Sequence, residues 1–177
     1  DNHTLGTVLK SAGYATAAIG KWGLQGGPAK AGDPNSPSFP TKRGFDFFFG
    51  YLDHSAGHRH YPKEDPVDGN DPDGASTIWE NNSNVTSQLD LCYSTDLFTA
   101  RAKKWITDHH TATPSQPFFL YLSFTAPHAA LQVPTQAYPV GSGQTGGLQW
   151  TGTPGAMINT ASGTRDSWIH PEYATQS

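Results

Sequence analysis

One cysteine in 177 residues, Cys92, leaves the chain unable to close an internal disulfide or to build a multi-cysteine metal site. Basic residues are also sparse. Eleven Lys and Arg against fifteen Asp and Glu give a formal charge of -4, and no basic cluster is longer than Lys103-Lys104. The electrostatic footprint of a nucleic-acid partner is absent. No apolar run reaches the length of a membrane span, and Asp1-Asn2-His3-Thr4 has neither the basic nor the apolar region of a signal peptide, which leaves open a signal upstream or one already removed. Charged residues make up 15% of the chain, below the usual share of about 25%. Glycine (19) and proline (14) are abundant instead, as in a loop-rich protein, and the length suits one domain with its own core.

Leu5, Val8, Leu9 and Ala12 share one helical face, with Thr4 or Asn2 placed to cap the helix and Gly13 to end it. Tyr14 to Gly20 is a nearly uncharged run bounded by glycines, which predicts a strand buried on both faces, and Lys21 follows it directly. A Gly/Pro/Ser/Asn-rich loop from Gly26 to Pro40 leads to an aromatic-rich stretch, Phe45 to Tyr51, suited to core or to a pocket wall. Residues 62–76 have the composition of an exposed loop, and Thr77-Ile78-Trp79 with Val85-Thr86 predicts a small surface hairpin about Glu80–Asn84. Phe98, Ala102, Trp105 and Ile106 predict a second helix, capped by Ser94 or Thr95, with Asp96 in its first turn and its end near His109-His110. Beyond the breaker at 113–117, Phe118 to Phe124 reads as a central strand, which the chain leaves through Thr125-Ala126-Pro127-His128.

Helix, strand, long irregular insert, helix, strand is the alternation of an α/β protein with a mainly parallel sheet. Ligands of such sheets sit outside the carboxyl ends of the strands. Lys21 ends the first predicted strand and His128 lies just past the second, so a fixed cation and an imidazole share one edge. A lysine there can bind an anionic oxoester and offset charge developing on it, or it can simply close a strand at the surface. A histidine there can give a proton to a departing alkoxide, or it can bond to loop backbone. His54, His58 and His60 with Asp53 have a spacing that can chelate a transition metal, but breakers and Arg59 favour a substrate-pocket loop or plain surface. Cys92 reads as a buried inert thiol, and Gly23, Gly26 and Gly27 form no nucleotide-binding fingerprint.

Thr4-Leu5 through Leu9-Lys10, then Gly13-Tyr14-Ala15-Thr16-Ala17-Ala18-Ile19-Gly20-Lys21-Trp22, resembles the arylsulfatase family. Further likenesses follow in order: Arg43-Gly44-Phe45-Asp46 with Gly50, His60-Tyr61-Pro62, and Pro117-Phe118-Phe119-Leu120-Tyr121-Leu122 to Pro127-His128. Together they cover most of residues 4–138. The resemblance implies an alkaline-phosphatase-like sandwich and hydrolysis of sulfate esters by a formylglycine, made from Cys or Ser in a CxPSR-type motif, with help from a calcium ion. Cys92-Tyr93-Ser94-Thr95 does not match that motif, and the acidic metal ligands are not in the sequence. Residues 1–177 thus read as a single partial sulfatase catalytic domain, lacking the upstream nucleophile region and the downstream metal half-site and catalytically incomplete alone.

By the same resemblance Lys21 binds a sulfate oxygen and the formylglycine, and His128 contacts sulfate and helps protonate the leaving alcohol. His60 belongs to a pocket loop that binds substrate. Many members carry His two residues after the lysine, whereas Gly23 stands there in this chain. The implied partner is a sulfated small molecule or sulfated carbohydrate, and the implied compartment is the periplasm or the outside. Two alternatives stay open: a phosphate or phosphonate ester hydrolase of the same fold, and a non-catalytic carbohydrate-binding remnant. Both predicted parallel strands are expected to lack neighbours, so the isolated chain is expected to fold poorly.

Overall fold

A computed structural model describes residues 3–24, 33–54, 56–58, 60, 77–89 and 93–128, together with two short strands at 148–149 and 158–159. Helix α1 (Leu5–Ser11) opens with a capping box. The Thr7 N–H donates to Thr4 Oγ1 at 3.1 Å, and the Thr4 N–H donates to Thr7 Oγ1 at 2.8 Å. These bonds satisfy two backbone donors that a helix start otherwise leaves open. The helix stops before Gly13, and strand β1 (Ala15–Lys21) follows with all five of its interior residues buried.

Strands β2 (Phe47–Tyr51), β3 (Ile78–Glu80) and β4 (Ser83–Asn84) come next, then helix α2 (Ser94–Ala112) and strand β5 (Phe118–Ser123). They form one sheet in the order β4-β3-β2-β1-β5. β1 runs parallel to both neighbours, while β2–β3 and β3–β4 are antiparallel. Strands β6 (Leu148–Gln149) and β7 (Ile158–Asn159) form a separate antiparallel pair. The architecture is α/β with a mixed sheet, as expected except for its antiparallel hairpin.

Alternation along the strands divides the core. Ile19, Phe49 and Tyr51 pack on Leu97, Phe98, Ala100 and Ala102 of α2. Ala18 and Phe48 pack with Trp22, Phe39, Phe45 and Leu52 in a second cluster. Each face therefore removes aromatic area from water, on the order of 25 cal/mol for every Å² of apolar surface.

Four expectations are revised. The insert between the first strand and the second helix is not irregular, because it contains β2. The hairpin about Asn81-Asn82 is an extension of the sheet rather than a surface appendage: Ile78 is fully buried, and Gly50, Phe49 and Tyr51 pair with it and its neighbours. Helix α2 takes Tyr93 as its N-cap, with no side-chain capping bond, because Ser94 already lies in the helix; α2 also runs two residues past His110. Finally, β1 has a parallel neighbour on each side, and β5 is the edge strand rather than a central one among the described residues. The predicted loop at 62–76 lies outside the described residues.

Candidate functional site

Three parallel strands end side by side. Lys21 pairs in register with Tyr51, and Gly20 with both Gly50 and Ser123. The chain segments leaving β1, β2 and β5 therefore emerge at one sheet edge. The ends are bound closely there. The Trp22 N–H donates to the Tyr51 carbonyl at 2.8 Å, the Gly23 N–H to the Leu52 carbonyl at 3.1 Å, and the Ser123 hydroxyl to the Lys21 carbonyl at 2.7 Å. Glycine at position 20 allows this approach: a Cβ there would lie 1.9 Å from the Ser123 carbonyl oxygen, at a φ of +116° that other residues rarely adopt.

Lys21 is half-buried. Its aliphatic stem lies over Gly57 of the short 3-10 helix Ala56–His58, where a Cβ would come within 2.5 Å of the lysine Cδ. Burial pushes its ammonium below the usual lysine range, and the Asp53 carboxylate acts in the opposite direction. A cation held by its stem and partly stripped of water attracts an anion more strongly than a freely solvated lysine does.

His60 is only 1% exposed. Its Nδ1 and the Thr125 hydroxyl lie 3.2 Å apart, Thr125 is a further 3.2 Å from the Ser94 hydroxyl, and the Ser94 N–H donates to the His60 carbonyl at 2.6 Å. The ring also tilts against Tyr93, with 5.8 Å between centroids. One buried imidazole thus ties together the segment after β2, the first turn of α2 and the segment after β5. Burial lowers its pKa below the ordinary histidine value. The nearby His128 imidazole acts in the same sense, and a hydrogen bond with the His128 backbone partly offsets both. His128 itself is partly exposed.

The sequence-predicted residues Lys21 and His128 thus leave adjacent parallel strands at one edge, and His60 contacts the second of their two segments. Almost none of the His60 surface is exposed. Sequence reasoning missed Thr125 and Ser94, which bond to one another across 31 positions. No local pattern announces such a pair. Cys92 and residues 129–138 lie outside the described residues. Among the described residues no group of three or more His, Cys, Asp or Glu is arranged to hold a metal ion. Among them, too, no helix is long and apolar enough to cross a membrane.

The sulfatase family model matches residues 1–160. The chain is similar to arylsulfatase J of Mus musculus, at 37% identity over 136 residues, covering 76% of this chain and 20% of that protein. It is 31% identical over 134 residues to an arylsulfatase of Klebsiella aerogenes, covering 75% of this chain and 25% of that one. Among solved structures it resembles Ps i-CgsB in complex with k-i-k-neocarrahexaose, with a TM-score of 0.54 and 28% identity over 72% of this chain and 27% of that one. The chain spans about a fifth to a quarter of the length of the curated relatives it matches.

Proposed function

Because the chain belongs to the sulfatase family and has its alkaline-phosphatase-like α/β fold, we propose that the longer polypeptide it represents hydrolyses sulfate esters, with Lys21 and His128 as two of the groups that meet the sulfate. One observation carries this reading: β1 and β5 are parallel neighbours, so the residue that ends one and the segment that leaves the other share a sheet edge. Lys21 binds a sulfate oxygen and offsets the charge that grows as the ester bond breaks. His128 gives its imidazole proton to the departing alcohol as a general acid. His60 serves the same site by holding the His128 segment through Thr125.

Residues 1–177 belong, in this reading, to a single catalytic domain that draws its formylglycine and its calcium ligands from other parts of the polypeptide. The substrate is a sulfated carbohydrate or a sulfated small molecule, and the structural likeness to a protein solved with k-i-k-neocarrahexaose favours the former. The protein acts in the periplasm or outside the cell, by analogy with exported sulfatases.

The test is kinetic. In the full-length protein acting on 4-nitrophenyl sulfate, Lys21→Ala and His128→Ala should each lower kcat/KM by about 10²-fold or more. Undiminished turnover in both variants would remove the assignment.

A further inference from the structure

Gly23 leaves a gap beside Lys21, and a second imidazole stands at that gap. A Cβ built on Gly23 would lie 3.8 Å from the Lys21 Cε and 3.7 Å from the His54 Nδ1. Both atoms lie within 4 Å of one point, so the lysine Cε and this ring nitrogen are less than about 8 Å apart with the ammonium one bond from Cε, a separation on the scale that a tetrahedral oxoanion and its hydrogen bonds span. The arrangement follows from the strand register. Lys21 pairs with Tyr51, and three residues further along that second chain the backbone brings His54 level with Gly23. The Gly23 N–H to Leu52 carbonyl bond fixes the two segments against each other. His54 is exposed and Lys21 is half-buried, so both groups are accessible to a ligand from solvent.

We propose that His54 is a second ligand-contacting group of the Lys21 anion site, donating a ring N–H to an oxygen of the bound sulfate across the gap that Gly23 leaves open. The proposal rests on the reading of Lys21 as a sulfate-binding residue. It gives position 23 a specific role as well. A side chain there would fill the space between the two groups, at a φ of +67° that already disfavours one. It also relocates an imidazole: the chain has none two residues after the lysine, and the segment after β2 supplies one from the other side of the same gap.

Inorganic sulfate is the probe, titrated by calorimetry into the full-length protein and its variants. His54→Ala should weaken sulfate binding by about tenfold, the scale of one hydrogen bond to a charged partner, with an unchanged thermal midpoint. His54→Asn, whose amide reaches the position of Nδ1, should recover part of that loss. Lys21→Ala separates the two readings. If it weakens sulfate binding while His54→Ala binds like the wild type, the His54 assignment fails and the Lys21 site stands. If Lys21→Ala leaves binding unchanged, the anion site itself is misassigned and the His54 proposal falls with it. A loss in His54→Ala that comes with an equal fall in thermal midpoint and no recovery in His54→Asn means that the ring is structural, which also overturns the proposal.

Discussion

His60 is a base kept where its protonated form is poorly solvated, and that has a consequence for stability. Its folded-state pKa is lowered, mainly by burial, whereas in the unfolded chain it titrates near the ordinary value of about 6.5. Below that pH the unfolded state binds a proton that the folded state resists, so stability is complete above about pH 6.5 and is lost as pH falls toward the lowered value. His60→Gln in the full-length protein should be less stable than the wild type at pH 8, yet decline less between pH 6.5 and 5, as read from denaturation midpoints at each pH. Equal slopes in the two proteins would show that His60 ionises freely in the fold. Asp46 works the opposite edge of the pH scale. Burial alone would raise its pKa, but the Lys10 ammonium at 2.5 Å and the hydroxyl and N–H of Thr16 together hold it below the usual carboxylate value. The placement of Lys21 and the segment leading to His128 at one sheet edge was legible in the sequence because each follows a patterned apolar run. The Thr125–Ser94 link and the Gly23–His54 gap were not, since both depend on which distant segments share an edge.

At the scale of elements, the parallel trio β2-β1-β5 is drawn together by residues without side chains. A Cβ on Gly50 would fall 1.8 Å from the Gly20 carbonyl oxygen, and one on Gly20 would fall 1.9 Å from that of Ser123. Gly20→Ala must therefore push β5 away from β1 and strain a backbone at positive φ. Its cost should be about 3 kcal/mol or more, visible as a large fall in thermal midpoint and a loss of activity beyond what stability explains. A midpoint within a degree of the wild type would mean that the strands separate at little cost. Both helices were readable from apolar periodicity and capping residues, and β1 from a nearly uncharged run bounded by glycines. β2 escaped because Phe47-Phe48-Phe49-Gly50-Tyr51 has no alternation to distinguish strand from core loop. In the fold its two faces serve two clusters, Phe49 and Tyr51 toward α2 and Phe48 toward Trp22 and Phe39.

For the molecule as a whole, the notable feature is the outer edge. Phe118 (41%), Tyr121 (42%) and Leu122 (36%) of β5 are all exposed, on a strand paired along one side only among the described residues. An uncharged apolar edge is a template for pairing with another chain. The 177-residue chain produced by itself should self-associate, and Tyr121→Lys should shift it toward monomer in sedimentation velocity, since a charge on an edge strand resists pairing. Association indifferent to that substitution would locate the contact elsewhere.

Sequence alone determined the local elements and the chemistry available to them: a capped first helix, a doubly buried strand that runs into Lys21, a second apolar strand that leads to His128, and motifs specific enough to indicate the family. These are short-range properties, written in periodicity and in residues adjacent along the chain. Tertiary structure decided the rest. The pairing of β1 with β2 and β5, the edge position of β5, the burial of His60 and the approach of His54 to Gly23 depend on contacts between segments about 30 to 103 residues apart. Such contacts are selected by the free energy of the whole packed arrangement, in which backbone pairing and apolar burial at many positions are satisfied together, and no local window contains that sum.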